Sequence, residues 1–171
     1  MHIRPYADAD QAVWDAYVLS HPDATYCHLS QWKQVIEQSY GHKTHYLMAI
    51  NEDGQMAGLL PLVHLKSLLF GNSLVSMPYL DMGGILADNQ EAFQALLTEA
   101  MKIGKQLRAD HIELRHHKPT PWQYSNPTNP TNPINPINSI NSLTPKVRML
   151  LDLPKSNVVK PLSKAYSIMV Q

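Results

Sequence analysis

The stretch from Asp88 to Arg108 reads DNQEAFQALLTEAMKIGKQLR and is the clearest structural signal in the sequence. Apolar and small residues recur there at the spacing of one helix face: Phe93, Leu96, Leu97, Ala100, Ile103, Gly104 and Leu107. Asp88 and Glu91 form a D-x-x-E pair that predicts a helix start. Lys105 and Arg108 lie near the other end, where cations complement the helix dipole. The stretch predicts an amphipathic helix over about 89–107 that packs on a sheet.

The residues before and after this helix predict the strands of that sheet. Residues 45–50 and 56–65 are two apolar runs, and 51–54 (Asn-Glu-Asp-Gly) has the composition of a hairpin turn. Pro61 lies inside the second run, so that strand is expected to be an edge at this point or to carry a bulge. Further short strands are predicted at 2–4, near 73–77 and at 111–115.

Two shorter helices are predicted between the first strand and the hairpin. Asp8 and Gln11 have capping-box spacing and predict a helix that runs to Leu19. The apolar face of this helix is predicted to hold Val13, Ala16 and Tyr17. A second helix is predicted between Ser30 and Gly41, with Trp32, Val35, Ile36 and Tyr40 at helical spacing. The order of elements predicts an α/β (α+β) fold, a mixed sheet with helices on its faces.

Composition limits the classes of protein to which the chain can belong. It has 171 residues, is 44% hydrophobic, and carries 14 Lys and Arg against 14 Asp and Glu. The zero net charge argues against a dedicated DNA binder. The single Cys excludes an internal disulfide framework and fits a reducing compartment. We find neither a signal peptide nor an integral membrane segment, and we expect a cytoplasmic protein.

The sequence divides into four zones. Residues 1–115 read as one α/β domain. Residues 116–145 include a tract in which Asn recurs every third position and alternates with Pro, which predicts an exposed, disordered loop. Residues 146–154 are expected to return to the same domain as a strand. Residues 155–171 form an atypical tail.

Several phrases occur in the order found in FemAB-like proteins, whose halves have the GNAT acyltransferase fold. They are Ile3-Arg4-Pro5-Tyr6 leading to Trp14-Asp15, Ser30-Gln31-Trp32, Gly58-Leu59-Leu60-Pro61-Leu62, Met77-Pro78-Tyr79-Leu80-Asp81-Met82-Gly83-Gly84-Ile85-Leu86, and Met149-Leu150-Leu151-Asp152-Leu153-Pro154. The chain thus resembles the FemAB-related family, and within it the subgroup associated with exopolysaccharide and exosortase loci. The resemblance covers residues 1–115 and 147–154. It implies a GNAT-like mixed sheet flanked by helices.

The resemblance implies the N-terminal half of an N-acyltransferase or aminoacyltransferase that acts on a cell-wall (peptidoglycan) or exopolysaccharide precursor. This half would bind the acceptor, a small molecule or glycan precursor, and would hold no cofactor. The acyl donor of a complete member would be aminoacyl-tRNA or acyl-CoA, and contact with tRNA stays open. Because the sequence stops where a second half would begin, we expect a truncated or frame-shifted member, whose exposed apolar surface would favour self-association. Whether the chain is itself an enzyme stays open.

Three alternatives to this function remain. The chain could be a non-catalytic binding module, or a non-functional remnant of a disrupted gene. It could also be an acetyl-CoA-dependent GNAT N-acetyltransferase. That enzyme needs a backbone cradle for pyrophosphate before the long helix. Residues 81–88 offer two Gly there, but they lack the usual Arg or Gln and carry two Asp that would repel the anion.

The candidate substrate-binding residues are Lys33, Tyr79, Asp81, Gly83 and Gly84. Asp81 is also a candidate base for the acceptor amine. Lys33 could meet a phosphate of a nucleotide-sugar precursor, although a solvated Lys is the commoner case. The Gly pair could line a substrate cleft, or it could serve close backbone approach in a tight turn.

Other reactive residues favour structural readings. Cys27-His28 suggests a nucleophile and a base, but a lone Cys is usually a buried thiol. His111, His116 and His117 have no zinc-ligand spacing and are interpreted as a strand end and a loop. No metal site is predicted.

Overall fold

A computed structural model describes residues 1–67 and 71–116. Strand β1 (His2–Pro5) is followed by helices α1 (Gln11–Ser20) and α2 (Gln31–Tyr40), the strands β2 (Lys43–Ile50), β3 (Met56–Ser67), β4 (Gly71–Ser76) and β5 (Leu86–Ala87), helix α3 (Gln90–Leu107) and strand β6 (His111–Glu113). Short 3₁₀ turns, Asp8–Asp10 and Tyr26–His28, precede α1 and α2. The predicted Asn-Pro loop after His116, the returning strand and the tail lie outside the described residues.

The sheet is mixed, as the order of elements predicted. Its strands follow the order β1-β2-β3-β4-β6, in which β4 and β6 are parallel and the other neighbours are antiparallel. Strand β5 pairs with the same edge of β3 as β4 does, but nearer to the N-terminal end of β3. Parallel pairing of β4 and β6 requires a crossover, and α3 provides it.

Helix α3 covers one face of the sheet. Its buried residues Phe93, Leu96, Leu97 and Ala100 pack in one cluster with Leu47, Leu60, Leu62 and Leu74 of the central strands. The alternation of inward-facing side chains along each strand supplies this surface. The helix and its apolar face are therefore as predicted.

The opposite face of the sheet carries α1 and an aromatic cluster. Trp14 is fully buried, stacks on Tyr46 with ring centres 5.2 Å apart, and meets the edge of Tyr6 at 5.3 Å. Its indole N–H donates to the carbonyl of His28 at 2.6 Å. The predicted inner face of α1 was wrong at Val13, which is 52% exposed, and at Ala16, which is also exposed. The helix is rotated so that Trp14 and Val18 point inward, because burying the large indole contributes more than burying Val13.

The predicted capping residues of α1 and α3 were wrong, because tertiary contacts place a different residue at the start of each helix. Asp10, and not Asp8, lies at the start of α1, where its carboxylate accepts from the Ala7 N–H and from the Arg4 guanidinium. The hydrogen-bonded Arg4 lowers the pKa of Asp10 to about 2. At α3 the cap is Asn89, whose side chain accepts from the Ala92 N–H at 2.9 Å. Asp88 instead accepts from the Tyr17 hydroxyl.

The second helix and the hairpin were predicted correctly. Helix α2 begins after Ser30 and ends at Gly41 in the left-handed region. Residues 51–54 form the turn between β2 and β3. Strand β5 was not predicted. Within the described parts of the chain, no helix combines the length and the hydropathy needed to cross a lipid bilayer.

Candidate functional site

The loop 77–85, here called the β4–β5 loop, connects two strands that pair with the same edge of β3. Between them, a short part of that edge has no partner strand in the described part of the chain. Strand β4 pairs with Leu62–Ser67 of β3 and β5 pairs with Gly58–Leu59. Among the described residues, Leu60 and Pro61 therefore have no strand beside them on this edge. Pro61 has no N–H to donate, which is why an interruption is tolerated here. The structure thus agrees with the expectation that β3 is locally an edge at Pro61.

The backbone of the β4–β5 loop is strained. Met77 has φ +49° and Tyr79 has φ +72°, a region that large L-residues rarely adopt. Gly83 has φ +148°, and a Cβ there would overlap the Met77 side chain. Such residues cost on the order of 1–3 kcal/mol each and concentrate at functional sites. This cluster of unusual conformations makes the loop the leading candidate site.

The exposed end of the loop carries an aromatic surface formed by Tyr40, His42 and Tyr79. The rings of Tyr40 and Tyr79 stack with centres 4.2 Å apart and planes 14° apart. His42 lies nearly parallel to both, and its Nε2 and the Tyr79 hydroxyl share a hydrogen bond of 2.7 Å. Tyr79 is 55% exposed and Tyr40 is 49% exposed, so large aromatic faces remain in contact with solvent. Asp81 is exposed two residues further along the same loop.

Gly83 and Gly84 form the buried end of the loop and lie against Arg115 and His116, which follow strand β6. Both N–H groups donate to the Arg115 carbonyl, at 3.0 and 2.9 Å, and the Arg115 guanidinium donates to the Leu80 carbonyl at 2.8 Å. A Cβ on Gly84 would come within 2.6 Å of the His116 ring. Close backbone approach is therefore what the Gly pair provides in this structure. Its N–H groups are already used and do not form an open cradle for an anion.

Two imidazoles, the buried His28 and the half-buried His116, contact one peptide group of the loop. His28 Nε2 lies 3.2 Å from the Gly84 carbonyl oxygen, and the Ile85 N–H donates to His116 Nε2 at 3.2 Å. The carbonyl of Gly84 and the N–H of Ile85 belong to the same peptide bond. Burial lowers the pKa of each imidazole to about 4, so both are neutral at pH 7.

The remaining predicted residues are engaged elsewhere. The Lys33 ammonium contacts the Glu37 carboxylate at 2.9 Å, one helical turn away, and that of Asp8 at 3.8 Å. Its charge is thus opposed by two carboxylates within α2 and the turn before α1. Cys27 is fully buried, and the neighbouring imidazole is occupied by Thr25 and Gly84. In residues 1–67 and 71–116 no three His, Cys, Asp or Glu side chains are grouped to hold a metal ion.

Sequence reasoning placed Tyr79, Asp81 and the Gly pair on one loop but missed their partners. Tyr40 was assigned to the apolar face of α2, and His116 to an unstructured loop. The only sequence signal for the aromatic surface is an aromatic residue beside the Gly41 helix stop. Nothing in the sequence indicates that residues 28 and 116 meet at residue 84.

Comparison with known proteins gives structural neighbours only. No protein-family model matches the sequence, and neither does any curated protein. FemX is similar over 64% of this chain, with 24% identity and a TM-score of 0.48; the match covers 25% of FemX, so this chain spans about a quarter of that relative. The aminoglycoside 6'-N-acetyltransferase AAC(6')-Ih from Acinetobacter baumannii is 18% identical over 66% of this chain and 76% of its own, with a TM-score of 0.45.

A third neighbour is a GNAT family acetyltransferase from Staphylococcus aureus. It is 15% identical over 87% of this chain and 98% of its own, with a TM-score of 0.46. The sequence resemblance led to FemAB-like proteins and to the GNAT fold. All three TM-scores are below 0.5.

Proposed function

We propose that this chain is the acceptor-binding part of a FemAB-like N-acyltransferase or aminoacyltransferase that acts on a cell-wall or exopolysaccharide precursor. The observation that carries the proposal is the exposed aromatic surface of Tyr40, His42 and Tyr79. A backbone with positive φ at Tyr79 is retained at a cost in stability, and it places this ring on Tyr40. Flat aromatic faces of this kind favour stacking with a sugar or a base.

The electrostatics of the surface favour an acceptor that carries an amine. Tyr40 is the last residue of α2, where the helix dipole is negative and attracts cations. The faces of Tyr40 and Tyr79 are also electron-rich and attract an ammonium group. The Asp81 carboxylate lies on the same loop and is the candidate acceptor of the proton when the amine becomes a nucleophile. A phosphate has less to gain here, because Lys33 already faces two carboxylates.

In the proposed reaction the acceptor amine attacks the carbonyl of an activated acyl group. The amide bond forms, the bond to the donor's leaving oxygen or sulfur breaks, and the amine loses a proton. The contribution of this chain is to position the amine, which is the principal advantage of holding two reactants together. The engaged N–H groups of Gly83 and Gly84 support binding of the donor away from this loop.

Isothermal titration with UDP-N-acetylmuramoyl-pentapeptide and with UDP-glucosamine, which both carry a free amine, tests the proposal. We expect Tyr79→Ala to weaken binding of the preferred precursor about fivefold, since a stacked aromatic contact contributes about 1 kcal/mol. Leu19→Ala is the control, because Leu19 is 81% exposed in α1. Binding that is equally weakened by both substitutions, or absent for both precursors in the unmodified chain, contradicts the proposal.

A transfer assay separates an enzyme from a binding module. Precursor is incubated with the chain and either acetyl-CoA or an aminoacyl-tRNA, and acylated product is measured by mass spectrometry. Product that requires Asp81, tested with Asp81→Asn, supports catalysis by this chain. Binding without product leaves the acceptor-binding role and removes the catalytic one.

A further inference from the structure

Two side chains that are distant in sequence form hydrogen bonds with the carbonyl and the N–H of the Gly84–Ile85 peptide. His28 comes from the 3₁₀ turn before α2, 56 residues before Gly84. His116 follows β6 and packs its ring near Phe93 of α3, with centres 6.1 Å apart. The loop that carries Tyr79 and Asp81 is thereby tied to elements on the two opposite faces of the sheet.

The hydrogen bonds fix the tautomer of each neutral imidazole, that is, which ring nitrogen holds the proton. The Thr25 N–H donates to His28 Nδ1 at 3.1 Å, so the proton of a neutral His28 is on Nε2, from which it is donated to Gly84. His116 Nε2 accepts from Ile85, so the proton of a neutral His116 is on Nδ1. One imidazole is thus a donor and the other an acceptor, and they satisfy the two polar atoms of one peptide bond.

We infer that His28 and His116 are positioning residues that hold the β4–β5 loop in its acceptor-binding conformation, and that protonation of His116 releases it. This inference rests on the proposed function of the loop. A proton added to His116 Nε2 would face the Ile85 N–H, so two donors would oppose each other and this contact would be lost. A proton added to His28 Nδ1 has the hydroxyl and carbonyl oxygens of Thr25 as acceptors, at 3.1 and 3.3 Å, and Nε2–H still donates to Gly84.

The surroundings of the two rings disfavour that proton at neutral pH. Burial is the main cause of the lowered pKa of both groups, about 4 each. The charged or titratable groups that act on His28 are His116 and His21, and both oppose a further positive charge. The neighbouring Arg115 guanidinium is directed to Glu113 and to Leu80. The acid limit of the loop conformation is therefore expected near pH 4.

Gln substitutions separate positioning from simple packing. The terminal amide of Gln reaches the place of His Nε2, so His28→Gln can donate to Gly84 and His116→Gln can accept from Ile85, and neither titrates. His28→Ala and His116→Ala remove the contacts. His2→Gln, at an exposed position on β1, is the control. The measurements are amide NMR spectra and hydrogen exchange of the ligand-free chain between pH 7 and pH 3.5.

At pH 7 we expect the Ala variants to speed exchange of the Ile85 amide about tenfold, the effect of losing one hydrogen bond. They should also move the Tyr79 and Asp81 resonances, whereas the Gln variants should resemble the unmodified chain. Below pH 5 the Ile85 amide resonance of the unmodified chain and of His2→Gln should shift, and that of the double Gln variant should not. Unmoved loop resonances in the Ala variants, or an acid shift that persists in the double Gln variant, overturns the inference.

Titration with UDP-N-acetylmuramoyl-pentapeptide then distinguishes the two proposals. If the unmodified chain binds and His116→Ala binds at least tenfold more weakly, both stand. A loop that moves in His116→Ala while affinity stays unchanged overturns the positioning role alone. Failure of the unmodified chain to bind removes the acceptor-binding premise, and the NMR result then reports only how the loop is held.

Discussion

Helix α3 and the β4–β5 loop are neighbours in sequence but are built on opposite principles. In α3 the apolar spacing, the Asn89 cap and the basic final turn all favour the observed helix. In the loop the local preferences of Met77 and Tyr79 oppose the observed backbone, and contacts from Arg115, His28 and His116 hold it in place. The comparison teaches that the helix and the sheet stabilise the fold. The strained backbone of the loop lowers that stability, and in return it presents Tyr79 and Asp81.

The largest test of this comparison is removal of a core side chain. Phe93→Ala deletes a fully buried ring of α3, and we expect the free energy of unfolding to fall by about 3–5 kcal/mol. Urea denaturation followed by circular dichroism measures this. A loss below about 1 kcal/mol would show that α3 is not the stabilising region.

The pH dependence of stability tests the lowered pKa values of His28 and His116. A His in the unfolded chain has a pKa of about 6.5, and the folded values are about 4. Between these values the unfolded chain binds more protons, so stability is full above pH 6.5 and decreases as the pH falls towards 4. At pH 5 the loss is about 2 kcal/mol for each imidazole.

Urea denaturation at pH 7.5 and pH 5 checks this expectation. His116→Gln should remove about half of the decrease. His111→Gln, at an exposed position of β6, should leave it unchanged. A decrease of equal size in both variants would assign the effect to other groups.

The start of α3 gives a smaller effect that separates two adjacent residues. Asn89→Ala removes the observed cap and should cost about 1 kcal/mol. Asp88→Ala removes only an exposed contact with the Tyr17 hydroxyl and should cost less. Thermal unfolding of the two variants side by side measures the difference, and the reverse order would restore Asp88 as the cap.

The smallest change in stability is expected at the loop itself. Tyr79→Gly relieves a positive φ worth about 1–2 kcal/mol, but it loses the stack on Tyr40 and makes the unfolded chain more flexible. These effects nearly cancel, so we expect stability to change by less than about 1 kcal/mol while precursor binding weakens at least as much as in Tyr79→Ala. A loss as large as that of Phe93→Ala, measured in the same urea titration, would make the loop part of the core.

The regions that sequence predicted well are those in which neighbouring residues act together. The apolar face of α3, the extent of α2 and the turn at 51–54 depend on spacing within a few residues, and the structure agrees with each. Asp88 and Asn89 can both cap a helix, and only the position of Tyr17 decides between them. Val13 and Trp14 are similarly ambiguous until the sheet is in place.

The candidate site was predicted in part for the same reason. Tyr79, Asp81, Gly83 and Gly84 share a loop, so sequence proximity alone could group them. The pairing of Tyr79 with Tyr40 and of Gly84 with His28 and His116 depends on the fold bringing distant segments together. Lys33 was a candidate by residue type, and its ion pairs with Glu37 and Asp8 depend on helix geometry and on the preceding turn.

The buried thiol of Cys27 makes the chain its own reporter of local opening. It is the single Cys of the sequence, has no solvent exposure, and lies beside His28 in the same 3₁₀ turn. A thiol-reactive dye can therefore label the chain only during the moments when this turn opens. The labelling rate therefore measures opening of the turn that carries His28 without any engineered probe.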